Sequence, residues 1–261
     1  MFFTLRMKNK ITEFYESVSE KMKVHGIIKF FQLSFYEFLQ RPVVGLFFKT
    51  YSQKGEDVVI DRFLGYKKTG FYIDVGAYDP VRFSNTKRFY DRGWSGINIE
   101  PDYKNYQKFI KMRKRDINLN IGIGQQVADV IFHSFKAKAI STFSKDWANL
   151  HQISGYVAGE RFFVKMDKLD NVLQQYLQGR HIDFLSIDTE GFDLDVLKSN
   201  DWSKFRPTLV CAECIKYNSN GKSDLSNNEI ESFLEGVGYE KAYENDMNII
   251  FKDKSLGFKN V

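Results

Sequence analysis

Cysteine and proline are scarce: the chain carries two cysteines and four prolines in 261 residues. Two cysteines exclude a disulfide-stapled scaffold, and with no second pair Cys211-Ala-Glu-Cys214 does not complete a structural zinc site. Its apolar setting, Val210 to Ile215 in an extended pattern, reads as a buried strand carrying reduced thiols. So few prolines mark no long linker, and neither repeats nor low-complexity tracts interrupt the chain. No apolar run reaches the roughly 20 residues of a membrane span, and the start, Met1-Phe-Phe-Thr-Leu-Arg-Met-Lys8, lacks the unbroken apolar core of a signal peptide. The expectation is a cytoplasmic protein. Its net charge of +5 is spread out. The one dense cationic cluster, Lys111-Met-Arg-Lys-Arg115, reads as a solvated loop, so no nucleic-acid partner is expected.

What is present is an apolar strand that ends in acid and glycine, Phe71-Tyr-Ile-Asp-Val-Gly-Ala-Tyr-Asp-Pro80, followed by a second strand that ends in acid, Ile97-Asn-Ile-Glu-Pro101. Gly76 lets backbone approach a ligand at the carboxyl end of its strand. Glu100, with Pro101 beside it, follows near the roughly 20-residue offset at which an acid reaches the ribose of a bound nucleoside. A dinucleotide does not suit this turn. Its pyrophosphate needs several glycines and no carboxylates, whereas Asp74 and Asp79 flank the single glycine. S-adenosylmethionine, with a ribose, a sulfonium and an ammonium but no phosphate, is attracted by the same acids.

Strand and helix patterns alternate from residue 51 onward. Helices are expected over 53–64, 85–90, 102–112, 169–177, 192–197 and 228–234, and strands over 71–75, 96–100, 117–122, 182–188 and 207–213. Segments 126–135 and 162–166 read as an inserted hairpin, and 239–243 with 247–251 as a terminal antiparallel pair. The result is a doubly wound, mostly parallel α/β sheet over residues 51–261, with Asp74, Glu100, Asn120, Asp188 and Glu213 at its carboxyl ends. Residues 1–50 are expected to form a helical extension. Its Phe-rich, basic segment 11–40 has three open readings: packing on its own domain, a homo-oligomer contact, or a peripheral membrane contact.

Taken together, Tyr51-Ser-Gln-Lys-Gly-Glu-Asp57, the strand at 71–77, Ser84-Asn-Thr86, Gly93-Trp-Ser-Gly-Ile-Asn-Ile-Glu-Pro101, Ile182-Asp-Phe-Leu-Ser-Ile-Asp-Thr-Glu-Gly191 and Asn245-Asp246 resemble the FkbM-type S-adenosylmethionine-dependent methyltransferases. The resemblance spans about 51–252. It implies a class I, Rossmann-like methyltransferase fold and methyl transfer to a hydroxyl oxygen, often on sugars of bacterial surface polysaccharides or glycosylated natural products; the expected substrate here is a sugar hydroxyl of a nucleotide-activated sugar or surface-polysaccharide precursor. Lipid-linked or small natural-product hydroxyls are the enzymatic alternative, and a non-catalytic binding module is the other. On this footing Asp74, Gly76 and Asp188 line the methionine side, Glu100 takes the ribose and Asn120 approaches the nucleoside. Gln53 and Ser84 or Asn85 bind the methionine carboxylate, although a turn residue and helix caps would look the same.

Asp188 ends an apolar strand, where a carboxylate is costly to desolvate unless a partner compensates it. Together with Glu190 and Glu213 it forms the expected catalytic group, as general base or as hard ligands for Mg²⁺ or Mn²⁺. Glu190 reads equally as an N-terminal helix residue, and His133 and His151 are secondary candidates for the base. Phe143 and Trp147 are candidates for a sugar-facing wall or for the core.

Overall fold

A computed structural model of the chain describes residues 50–214, 216–217, 223–224 and 228–256. The segment 11–40 lies outside them. In chain order the main elements are α1 (Glu56–Phe63), β1 (Phe71–Val75), α2 (Lys87–Arg92), β2 (Ser95–Ile99), α3 (Tyr103–Met112), β3 (Ile117–Leu119), β4 (Gly122–Ile123), β5 (Ala128–Phe135), α4 (Lys145–Ile153), β6 (Ala158–Asp167), α5 (Leu169–Tyr176), β7 (Phe184–Ile187), α6 (Asp193–Lys198), β8 (Leu209–Glu213), β9 (Lys216–Tyr217), β10 (Ser223–Asp224), α7 (Asn228–Gly236), β11 (Tyr239–Glu244) and β12 (Asn248–Asp253).

Seven strands form the central sheet in the order β11-β12-β8-β7-β1-β2-β3. β3, β2, β1, β7 and β8 are mutually parallel, and β12 pairs antiparallel with both β8 and β11. Apolar side chains leave both faces, because a parallel sheet must be covered twice. Phe71, Ile73 and Val75 join α5, α6 and α7 through Leu173, Val196 and Leu234 on one side. Tyr72, one residue out of phase, joins Ile60 of α1 and Phe89 of α2 on the other. The strand order reverses between β2 and β7, on either side of β1, so a crevice opens at the carboxyl end of β1.

The expected hairpin is present: β5 and β6 pair antiparallel and, with β4, make a separate three-stranded sheet. The strand expected over 117–122 is divided, residues 117–119 staying in the main sheet and Gly122 pairing with Met166 of the insertion. One expectation is overturned. Within the cluster 111–115, Arg113 is fully buried rather than solvated. Its guanidinium donates to the Pro80 carbonyl (2.8 Å), the Tyr72 hydroxyl (3.1 Å) and Ser84 Oγ (3.0 Å), so a cation looped over β1 fastens the segment that follows β1. Cys211 and Cys214 are buried and free, as expected. No helix among the described residues is long and apolar enough to cross a membrane.

Candidate functional site

The site grows from the turn after β1. Gly76 has φ +77, and its amide donates to the Ile99 carbonyl of β2 (3.0 Å) while Asp188 N donates to the Val75 carbonyl (3.0 Å). A Cβ at position 76 would lie 1.9 Å from the Asp188 carbonyl oxygen, so only glycine lets β1 and β7 close at this point. Two clefts meet over it. The first, about 480 Å³ and open to solvent, is walled by Glu100, Pro101, Ile121, Ile123, Phe132 and Phe143. The second, about 420 Å³, is lined by Gln53, Asp74, Phe83, Asn85, Ser186 and Asp188. Gly76, Tyr78, Ala139 and Asp188 belong to both.

Each sequence-expected residue has a definite place. Asp74, at the sheet's carboxyl end, accepts from the Thr86 hydroxyl (2.8 Å), and burial raises its carboxyl to about 6 against the favourable Thr86 bond and Arg113 charge. Glu100 is buried and accepts from two backbone amides, Tyr78 N (2.7 Å) and Asp102 N (2.8 Å); burial still raises it to about 7. Asn85 faces the second cleft and donates to Ser186 Oγ (3.1 Å). Ser84 and Asn120 line neither cleft. Ser84 Oγ accepts from Lys87 N and Arg113, the helix-start position that also fitted it in the sequence. Asn120 Nδ2 donates to the carbonyls of Glu100 (2.8 Å) and Pro101 (2.9 Å), clamping the end of β2.

Asp188, Glu190 and Glu213 converge: one carboxylate oxygen from each lies within 4.8 Å of the other two. Burial first, and then repulsion from neighbouring acids, pushes all three carboxyls well up. His151, buried on α4, has Nε2 3.7 Å from Glu190 Oε2, and burial holds its ring down to about 4, so it stays neutral beside the acid. Glu190 does not start α6. Asp193 does, accepting from Thr189 N (3.3 Å). His133 lies on β5, lines neither cleft and is bridged to Thr142.

Sequence reasoning missed Tyr78, Phe83, Ser186 and Lys138, all cleft-lining. Lys138 also ties the insertion to the core through Asp102 (2.9 Å). One signal emerges only in three dimensions. Of the five non-glycine residues at positive φ among the described residues, Tyr78, Phe83 and Glu190 belong to this site, where bulky side chains hold a left-handed conformation that costs roughly 1–2 kcal/mol each.

The Rossmann-like sheet thus opens an acid-rimmed, single-glycine crevice at its switch point, the place where such sheets take their ligands. The methyltransferase FkbM domain matches residues 74–241, more than half of the chain. The protein belongs to that family and is an S-adenosylmethionine-dependent methyltransferase. No curated protein matches the chain. Similar solved structures include a Burkholderia thailandensis 1,6-didemethyltoxoflavin-N1-methyltransferase with bound 1,6-didemethyltoxoflavin and S-adenosylhomocysteine (8% identity, 77% of each chain, TM-score 0.38). Another is the METTL16 MTase domain (10% identity, 76% of this chain and 66% of that chain, TM-score 0.42).

Proposed function

We propose that the chain is a cytoplasmic O-methyltransferase acting on a sugar hydroxyl, of a nucleotide-activated sugar or a surface-polysaccharide precursor. The observation that carries this is the paired cleft over Gly76, one half apolar and ending at Glu100, the other polar and lined by carboxylates and amides. These residues fit S-adenosylmethionine. Ile121, Ile123 and Phe132 offer an apolar slot for a flat base, and Glu100 an acceptor for ribose hydroxyls. Asp74 meets an ammonium, and Gln53 and Asn85 offer amide N–H groups to a carboxylate. When bound, the cofactor supplies an electrophilic methyl carbon on a sulfonium sulfur.

The remaining work falls to the chain. Asp188 sits in both clefts, so an acceptor hydroxyl brought to it lies beside the cofactor half, and its carboxylate in the ionised form takes that proton. Phe143 of the insertion presents a ring to the first cleft, and Trp147 packs on Gly191. Rings suit the C–H face of a sugar, and the Ser141 hydroxyl suits its oxygens. Methylation of nucleotide-sugars, read by mass spectrometry against a panel that includes lipid-linked and small phenolic or alcoholic acceptors, decides the substrate. Product only from the latter would replace the sugar reading, and no product or cofactor uptake at all would leave a binding module.

Glu100 supplies two further expectations. Glu100→Ala should weaken cofactor binding by about 1.5–3 kcal/mol, roughly tenfold to a hundredfold, measured by calorimetry. Because alanine also orphans the amides of Tyr78 and Asp102, Glu100→Gln, which keeps an acceptor, separates ribose contact from loop support. Unchanged affinity in both variants would remove Glu100 from the site.

The groups around Glu100 are Asp102, whose charge raises it, Tyr78, Asn105 and Lys138, which pairs with Asp102. Its carboxyl titrates near 7, and only the ionised form accepts two ribose hydroxyls. Affinity should therefore rise with pH from 6 through about 7, and Glu100→Gln should lose the part of that rise centred near 7 while keeping the part that Asp74 contributes near 6. A wild-type affinity that ignores pH over this range contradicts the assignment.

A further inference from the structure

Three acids crowd the carboxyl ends of β7 and β8 with no lysine or arginine ion-paired to any of them among the described residues. Among the described residues the basic side chain that approaches them is His151, whose Nε2 lies 3.7 Å from Glu190 Oε2. A group of acids is not in itself a ligand site, but a second observation bears on this one. Glu213 is 7% exposed, and its Oε2 is buried with no hydrogen-bond partner among the described residues. A desolvated carboxylate oxygen without a donor is rare in folded proteins, because nothing replaces the water it gave up. Hydrogen bonds from the described residues therefore leave this oxygen uncompensated.

The oxygens also have the right reach. Each acid offers one oxygen, all three within 4.8 Å of one another. A hard cation binds carboxylate oxygens at roughly 2.0–2.6 Å, so one ion can touch all three. A single ammonium would offset one charge of three, whereas a divalent ion offsets two and keeps coordination positions open.

We propose that Asp188, Glu190 and Glu213 form a site for one divalent cation of the Mg²⁺, Mn²⁺ or Ca²⁺ class, joined to the clefts through Asp188, the member of the three that lines them. The inference rests on the methyltransferase reading for its purpose, orienting an acceptor hydroxyl, but not for its geometry. Each acid uses one oxygen on the ion, which leaves the second oxygen of Asp188 for the acceptor proton.

Trp147 provides a spectroscopic handle. A Cβ on Gly191 would lie 2.1 Å from its indole Nε1, which places the ring against the residue that follows Glu190. The full chain, treated with chelator and dialysed, is titrated with Tb³⁺ under tryptophan excitation. The expected result is saturable one-site emission displaced by Mg²⁺, Mn²⁺ or Ca²⁺. Glu213→Gln should weaken Tb³⁺ at least tenfold. Trp147→Phe should lose most of the sensitised emission while calorimetric Mn²⁺ affinity is retained.

Emission that does not saturate, or that is equally strong in folded Glu213→Gln protein, overturns the site and leaves the acids sharing protons. If circular dichroism shows Glu213→Gln unfolded, Glu190→Gln takes its place with the same criteria. Calorimetry with S-adenosylmethionine on the metal-free protein keeps the two readings apart. Cofactor uptake without cation uptake sinks only the cation, and the reverse sinks only the cofactor assignment.

Discussion

Asp188→Asn should lower turnover by about 10²–10⁴-fold while leaving the fold intact, the usual scale for losing a general base. The side chain sits where the two clefts join, at the end of a strand whose neighbours Phe184, Leu185 and Ile187 are fully buried without its help. Asparagine keeps the volume and removes the charge that accepts a proton. It also removes one of several mutually repelling carboxyls, since Asp193, Asp74 and Glu56 all press on Asp188. The Tm should accordingly be unchanged or higher, as function and stability pull in opposite directions at such a position. Thermal denaturation alongside steady-state turnover checks both halves. Near-normal turnover would strip Asp188 of its chemical role, and a collapsed fold would make it structural.

Gly76→Ala should damage both the fold and cofactor uptake. The added methyl would meet the Asp188 carbonyl at 1.9 Å, a backbone atom that cannot swing aside as a side-chain tip can. The φ of +77 adds strain that any L side chain would feel. Overpacking and left-handed strain together come to roughly 2–5 kcal/mol, enough to lower the Tm clearly. If β1 and β7 spread to relieve the clash, the two clefts no longer share one floor, and affinity for S-adenosylmethionine should fall at least a hundredfold. A variant with wild-type Tm and affinity would show that the turn is not held this tightly.

Much of this molecule is legible in one dimension. The strands announce themselves because two-sided burial demands near-continuous apolar runs, as at Phe184–Ile187 and Leu209–Glu213. The hairpin and the terminal antiparallel pair read as extended segments, and they do pair antiparallel. Glu100 is visible through its distance from Asp74, since the crossover between adjacent parallel strands has a narrow range of lengths.

What escaped depends on contacts between distant residues. The charge run 111–115 looks solvated, yet Arg113 is buried because Pro80, Tyr72 and Ser84 supply acceptors from two other stretches of chain. Asn120 looks like a site residue by position, but its amide is spent on the carbonyls of Glu100 and Pro101. Lys138 and Tyr78 carry no motif and join the cleft only when the insertion folds over it.

The sequence by itself determined the sheet, its acid-tipped strand ends and the family, since these depend on local periodicity and on spacing along the chain. Only the tertiary structure decided that Asp188, Glu190 and Glu213 share one small volume, that Glu213 Oε2 has no hydrogen-bond donor among the described residues, and that Glu100 holds two backbone amides. Convergence and desolvation belong to neighbours in space, and chain order does not record them.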